Sequence, residues 1–195
     1  MGKARLEAFS DGVMAIIITI MVLELRAPAG SSLASLKPLL PVFLSYVLSF
    51  VYVGIYWNNH HHFLHAARHV DGKVLWANLF LLFWLSLFPF ATAWMGGNHF
   101  APVPVALYGA VLLMAAIAWR PFQASIIQAN GGSGSLLAQA VTGHDVKGIV
   151  PLVFYSAAIP LAFVHPALSG LLYVAVAAMW FVPDRRIEAR VKQET

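Results

Sequence analysis

The sequence contains no cysteine and very little charge. None of its 195 residues is a cysteine, which excludes disulfide bonds and thiolate metal sites. Charged residues make up 10% of the chain and hydrophobic residues 60%, whereas a soluble domain carries about a quarter charged residues. The alternating segments of about ten residues that build a membrane β-barrel are also absent. The composition therefore predicts an all-α protein that crosses a lipid bilayer several times.

Six apolar segments are predicted to form transmembrane helices. They cover residues 5–25, 38–58, 74–94, 104–119, 148–164 and 166–182. Pro89 is expected to kink the third segment, because proline interrupts the helical hydrogen bonds. Residues 120–147 include an Asn-Gly-Gly-Ser-Gly-Ser run and are predicted to form a flexible cytoplasmic linker. The chain shows no internal repeat of helix pairs, so it is predicted to be one six-helix transmembrane domain.

The basic residues are distributed unevenly between the two sides of the predicted bundle. Six spans place both termini on one side, which holds ten of the 12 lysines and arginines; only Arg26 and Lys37 fall on the other side. Because basic loops are retained in the cytoplasm, this pattern predicts a multi-pass protein of the cell membrane with both termini cytoplasmic. The orientation also explains the net charge of +4, and no nucleic-acid partner is predicted.

The first predicted helix joins a polar cluster to an apolar stripe. Arg5, Ser10 and Asp11 lie within two helical turns, and polar groups at a membrane boundary usually mark function. A stripe on one face then comprises Gly12, Ile16, Thr19, Ile20, Leu23 and Ala27. Such a stripe is typical of helix packing, and it also suits a pore that closes by excluding water. In a pore, Asp11 and Glu24 would bracket the constriction, where acidic groups favour cations.

A histidine-rich sequence ends the second predicted span. It contains five histidines within ten residues: His60, His61, His62, His65 and His69. His61 and His65 have the i, i+4 spacing that lets two imidazoles bind one zinc ion. No acidic residue or cysteine lies between them, however, and the several separated histidine boxes of membrane di-iron desaturases are missing. We therefore predict no metal site; one or two imidazoles are expected to hydrogen-bond Ser10 and Asp11 instead.

Two sequence motifs resemble a known family. The N-terminal motif, Arg-x-x-x-Phe-Ser-Asp, comprises Arg5, Phe9, Ser10 and Asp11. It resembles the RxxxFSD signature of the endosomal and lysosomal potassium-channel family, the transmembrane protein 175 family, in its short prokaryotic form. The Trp-Asn-Asn-His-His sequence at residues 57–61 and the six spans are similar to that family as well.

The resemblance implies a homotetrameric, potassium-permeable channel in a lipid bilayer, with monovalent cations as its only other partners, and not an enzyme. The first helix of each copy would line a central pore, and no cofactor besides the permeating potassium ion is implied. The constriction positions of the family fall on Ile16 and Leu23, with Thr19 and Ile20 between them. They would replace the TVGYG filter of other potassium channels, and this sequence has no Gly-Tyr-Gly.

The resemblance also implies a structural network at one end of the pore. The arginine, serine and aspartate of the signature would bond to residues of the second helix, namely Trp57 and either His60 or His61. Its role would be to hold the helices and to influence gating, and it would not coordinate ions.

Three other functions remain as alternatives. An ion-coupled or proton-coupled transporter could use Asp11, Glu24 and the histidines, although the first span has no Gly or Pro in its middle to break the helix there, as in many transporters. A membrane metalloenzyme would use the imidazoles of residues 60–69 and would contain bound zinc or iron. A purely structural membrane protein would carry no flux at all.

Overall fold

The computed structural model describes residues 2–134, Ala138 and residues 146–181, and these are all-α without a strand. Two short 3-10 segments, Leu33–Leu39 and Gly132–Gly134, accompany the α-helices. The α-helices in chain order are α1 (Lys3–Leu23), α2 (Leu40–Ala66), α3 (Gly72–Ser86), α4 (Phe88–Gly97), α5 (Pro102–Ala129), α6 (Val146–Val164) and α7 (Pro166–Phe181). This confirms the predicted all-α fold class.

Six apolar helical segments build the bundle. Four of them are long and apolar enough to cross a membrane: Lys3–Leu23, Leu33–Ala66, Gly72–Gly97 and Pro102–Ala129. The other two are the shorter apolar stretches Gly148–Val164 and Pro166–Trp180. The chain is therefore a polytopic helical membrane protein, and its described residues form one set of six apolar helical segments.

The third predicted span is two helices rather than one kinked helix. Helix α3 ends at Ser86, α4 begins at Phe88, and Leu87 between them keeps a helical backbone conformation. Pro89 is the second residue of α4, where the missing N–H has no intrahelical partner to lose. The proline therefore starts a new helix, while Gly72–Gly97 still forms a single apolar span.

The fourth predicted span is longer than the sequence indicated. Helix α5 runs through Arg120 and Pro121 and ends at Ala129, so residues 120–129 of the predicted linker are helical. Proline inside a helix costs about 3 kcal/mol, and here the following turn buries Phe122 and Ile126 completely. These packing contacts offset the cost of the proline. Most of the remaining predicted linker lies outside the described residues, as does residue 182 of the sixth predicted span.

Helix α5 lies at the centre of the bundle and α1 at its edge. Helix α5 packs most extensively against α3 and α6, and α6 packs against α7. Helix α1 contacts α2, α3 and α4. The bundle is therefore organised so that one side of α1 can remain uncovered.

Hydroxyl groups join the helices in the interior. Ser49 of α2 bonds Thr92 of α4 at 2.7 Å and Tyr108 of α5 at 2.9 Å. The hydroxyl of Tyr52 donates to the carbonyl oxygen of Tyr173 on α7 at 2.6 Å. All of these side chains are buried. In a bilayer, where apolar side chains gain little by leaving lipid, such bonds help to hold helices together.

Candidate pore helix and signature cluster

Helix α1 has one buried face and one exposed face. The buried residues recur every three or four positions, as one face of an α-helix requires. They are Leu6, Ser10, Met14, Ile17 and Met21. On the opposite face Ile16 is 58% exposed, Ile20 43% and Leu23 77%. The helix therefore packs against its own bundle along one face and leaves a continuous apolar stripe uncovered.

The stripe contains all four residues predicted for the pore constriction. Besides the three large apolar residues it carries Thr19, which is exposed and whose hydroxyl donates to the carbonyl oxygen of Ile16 at 2.9 Å. Gly12 continues the stripe one turn earlier, where an added Cβ would meet no atom within 4 Å. Glu24 follows the last turn of α1 and is exposed. The structure thus places the four predicted constriction residues and Gly12 together on one open face of the protomer, with Glu24 exposed at the end of the helix.

Ser10 belongs to a buried chain of hydrogen bonds that links three helices. The amide nitrogen of Asn78 on α3 donates to Ser10 Oγ at 3.0 Å. The amide oxygen of Asn78 bonds His60 Nε2 on α2 at 2.7 Å, so this nitrogen of His60 carries the proton. All three side chains are fully buried. The imidazole of His60 also stacks on Phe122 of α5, with ring centroids 4.9 Å apart. This chain fixes the polar end of α1 in the bundle.

Asp11 forms the second link of α1 to α2. The indole nitrogen of Trp57 donates to Asp11 Oδ1 at 3.0 Å. The imidazole of His61 stacks on the same indole, with ring centroids 5.9 Å apart, and Glu7 lies 3.7 Å from His61 Nδ1. Within the described part of one protomer the signature therefore bonds α2 directly only through Asp11 and Trp57.

Ser10 is linked to His60 through Asn78, and the expected hydrogen bond from an imidazole to Ser10 or Asp11 is not made among the residues that the structure describes. The contacts that hold the polar end of α1 divide into a buried group around His60 and a partly exposed group around His61.

Two signature residues are not part of these links. The side chain of Arg5 is exposed and makes no hydrogen bond or ion pair within the described part of the protomer. Phe9 is about half exposed. Both lie on the open side of α1, so the expected bond from Arg5 to the second helix is not made within one copy of the chain.

Sequence reasoning missed Asn78, the residue that connects Ser10 to His60. A signal for it existed: Asn78 is the only polar residue of α3 between Lys73 in its first turn and Ser86 at its end, and a polar group inside a membrane helix usually has a partner. The imidazoles were instead expected to hydrogen-bond Ser10 and Asp11 directly. Among the described residues, no group of three or more His, Cys, Asp or Glu is arranged to hold a metal ion.

Comparison with known proteins identifies relatives along the whole chain. A family model described as "Endosomal/lysosomal potassium channel TMEM175" matches residues 5–89. A potassium channel of Chryseobacterium sp. (strain P1-3) is 53% identical over 99% of this chain and 100% of its own length. A potassium channel of Chamaesiphon minutus is 31% identical over 87% of this chain and 89% of its own length.

The human relative and a solved structure extend the comparison. The human endosomal/lysosomal proton channel TMEM175 is 38% identical over 43% of this chain, and the match spans only 19% of that protein. The crystal structure of a lysosomal potassium-selective channel TMEM175 homolog from Chamaesiphon minutus superimposes with a TM-score of 0.75. It is 26% identical and covers 92% of this chain and 96% of its own.

These matches include the signature cluster and the bundle that holds it. The family model begins at Arg5 and extends beyond Asn78, so it contains the links that Glu7, Ser10 and Asp11 make to α2 and α3. The near-complete match to the Chryseobacterium channel extends the likeness to both ends of the chain. The relatives named here are channels and not enzymes. This chain belongs to the TMEM175 family and is a prokaryotic member of it.

Proposed function

We propose that this protein is a potassium-permeable channel in which four copies surround a central pore lined by α1. The observation that carries the proposal is the uncovered apolar stripe on α1, the helix that also carries the family signature. Ile16 and Leu23 are more exposed in the single chain than any other large apolar residue of that helix. Around a shared axis, four such stripes would face one another.

The chemistry of the stripe suits a gate that works by excluding water. Rings of branched aliphatic side chains can block ions by dewetting a narrow passage. Four Ile16 side chains would form the narrowest ring and four Leu23 side chains a second ring about 10 Å away along the helix. Thr19 would supply the hydroxyl between them. At one mouth, four Glu24 carboxylates would attract cations.

The identity of the permeating ion is supported by the relatives. The Chryseobacterium and Chamaesiphon proteins, which match most or all of this chain, are both named potassium channels. The human protein is named a proton channel, but only a fifth of it is matched. Potassium is therefore the ion we propose, in a cell membrane with both termini in the cytoplasm and without a bound cofactor.

Flux through purified protein in liposomes tests the function. With potassium inside and an impermeant cation outside, wild-type protein is expected to release potassium. Proton uptake without potassium release would contradict potassium permeation, and the absence of any flux would contradict the channel. The oligomeric state is measured separately by native mass spectrometry, in which four copies are expected and a monomer would refute the shared pore.

The gate is tested by Ile16→Asn, which is expected to hydrate the constriction and raise the potassium leak severalfold. Val22→Asn is the matched control. Val22 lies on the same helix and is 43% exposed, but it points roughly 120° away from Ile16. An equal leak from both variants would show that the stripe does not line the pore.

A further inference from the structure

Three polar contacts join the first turns of α1 to the last turns of α2. We call them the polar ladder. Each contact pairs one residue of α1 with one residue of α2, and together they run along the seam between the helices. The contacts are Lys3 Nζ to the carbonyl oxygen of His65 at 3.0 Å, Glu7 Oε1 to His61 Nδ1 at 3.7 Å, and Trp57 Nε1 to Asp11 Oδ1 at 3.0 Å.

The spacing of the polar ladder follows from the helical period. Its members on α1 are four residues apart, and so are its members on α2, which run in the opposite order. Residues four apart lie on the same face of a helix, so each turn of the seam carries one contact. In the two outer contacts the donors are an ammonium group and an indole N–H. Only the middle contact joins two groups that both titrate, Glu7 and His61.

The middle contact depends on the protonation of His61. At 3.7 Å the separation is too long for a hydrogen bond from a neutral imidazole, whereas a protonated imidazole forms an ion pair with the carboxylate at this distance. The side chains of His61 and Glu7 are 44% and 25% exposed, so protons reach them from water. The other charged or titratable groups near His61 are Lys3 and Asp11 on α1, and His60, His62 and His65 on α2.

We propose that Glu7 and His61 form a proton-dependent clasp that positions α1 against α2. Imidazoles change charge between about pH 5 and 8, so acidification on the side of the membrane that holds the N-terminus tightens the clasp. Because α1 is the helix that would line the pore, the clasp makes conduction pH-dependent. This last consequence rests on the proposed function, but the clasp itself does not.

A double-mutant cycle on purified protein tests the clasp without measuring flux. The thermal unfolding midpoint is measured at pH 5.5 and 8.0 for wild type, Glu7→Gln, His61→Gln and the double variant. A partly exposed ion pair is expected to give a coupling of about 1–2 °C at pH 5.5 and none at pH 8.0. Equal coupling at the two pH values, or none at pH 5.5, would overturn the proposal.

The matched control is His62→Gln, which removes the neighbouring imidazole and leaves the polar ladder intact. Its cycle with Glu7→Gln is expected to show no coupling at either pH. A coupling as large as that of His61 would show that Glu7 responds to the whole histidine cluster, and the specific clasp would be wrong.

Conduction is the second measurement. Lowering the pH on the N-terminal side from 8.0 to 5.5 is expected to change wild-type potassium current about twofold. Glu7→Gln and His61→Gln are expected to abolish that response, and His62→Gln to retain it. A normal pH response in Glu7→Gln would refute control of α1 by the clasp. The absence of any current in wild type would refute the proposed channel. The double-mutant cycle of thermal unfolding would still test the clasp, because it does not depend on conduction.

Discussion

Helices α1 and α5 are both continuous apolar helices, but the protomer uses them differently. Half of the most apolar stretch of α5 is buried inside the protomer, compared with 28% of that of α1. Helix α5 packs on several neighbours and fills the core, whereas α1 packs along one face and exposes the other. The difference teaches that an apolar surface need not belong to the core of its own chain. In α1 it is the surface that we propose four copies share.

The largest expected difference between the two helices is in the free energy of unfolding that is lost when a large apolar side chain is truncated to alanine. Phe122→Ala in α5 removes a fully buried ring that stacks on His60 and contacts Trp119. It is expected to destabilise the protein by about 3–5 kcal/mol. Leu23→Ala in α1 removes a side chain that is 77% exposed, so it is expected to change the free energy of unfolding little. Chemical denaturation of both variants measures the difference, and similar losses would refute it.

A smaller effect is expected at the point where α1 is tied to the bundle. Asn78→Ala cuts the link between Ser10 and His60 and leaves the buried His60 Nε2 without its partner, whereas Ser10 keeps its bond to the carbonyl oxygen of Leu6. The expected cost is about 2–3 kcal/mol, with loss of the fixed position of α1. Asn98→Ala is the control, because Asn98 is exposed and bonds only the carbonyl oxygen of Trp94 one turn earlier. Thermal unfolding distinguishes them; equal stability of the two variants would show that the buried chain is dispensable.

The smallest expected difference in stability comes from replacing glycine by alanine in each of the two helices. A Cβ on Gly109 of α5 would collide with the ring and hydroxyl of Tyr173 and approach Ile159 at 3.2 Å. Gly109→Ala is therefore expected to cost about 1–2 kcal/mol. Gly12→Ala meets open space on α1 and replaces glycine inside a helix, so it is expected to be neutral or slightly stabilising. A destabilised Gly12→Ala monomer in detergent would contradict the open face.

The resemblance to the family signature led to the expected contact between Asp11 and Trp57, but it did not reveal the partner of Ser10. Asn78 lies 68 residues from Ser10, and no local pattern relates two positions so far apart. The contact of Glu7 with His61 was missed for a similar reason. Glu7 was not singled out in the sequence, and His61 was expected to bond Ser10 or Asp11; their contact is visible only once the two helices lie side by side.

The ends of the helices were predicted unequally well. Apolar stretches located the six segments because hydropathy is a property of consecutive residues. Pro89 was recognised as an interruption, but whether it bends a helix or starts one depends on the packing of α3 and α4. Arg120 and Pro121 suggested the end of a span, and the helix continues because Phe122 and Ile126 fit into the core.

Hydropathy and composition alone predicted six apolar helical segments, and the N-terminal motif alone showed the resemblance to the TMEM175 family, because both are properties of consecutive residues. Tertiary structure decided which face of α1 is buried and which partners satisfy Ser10, Asp11 and His60. The physical reason is that an apolar helix is compatible with lipid, with a core or with a pore. Only the positions of its neighbours decide among these surroundings.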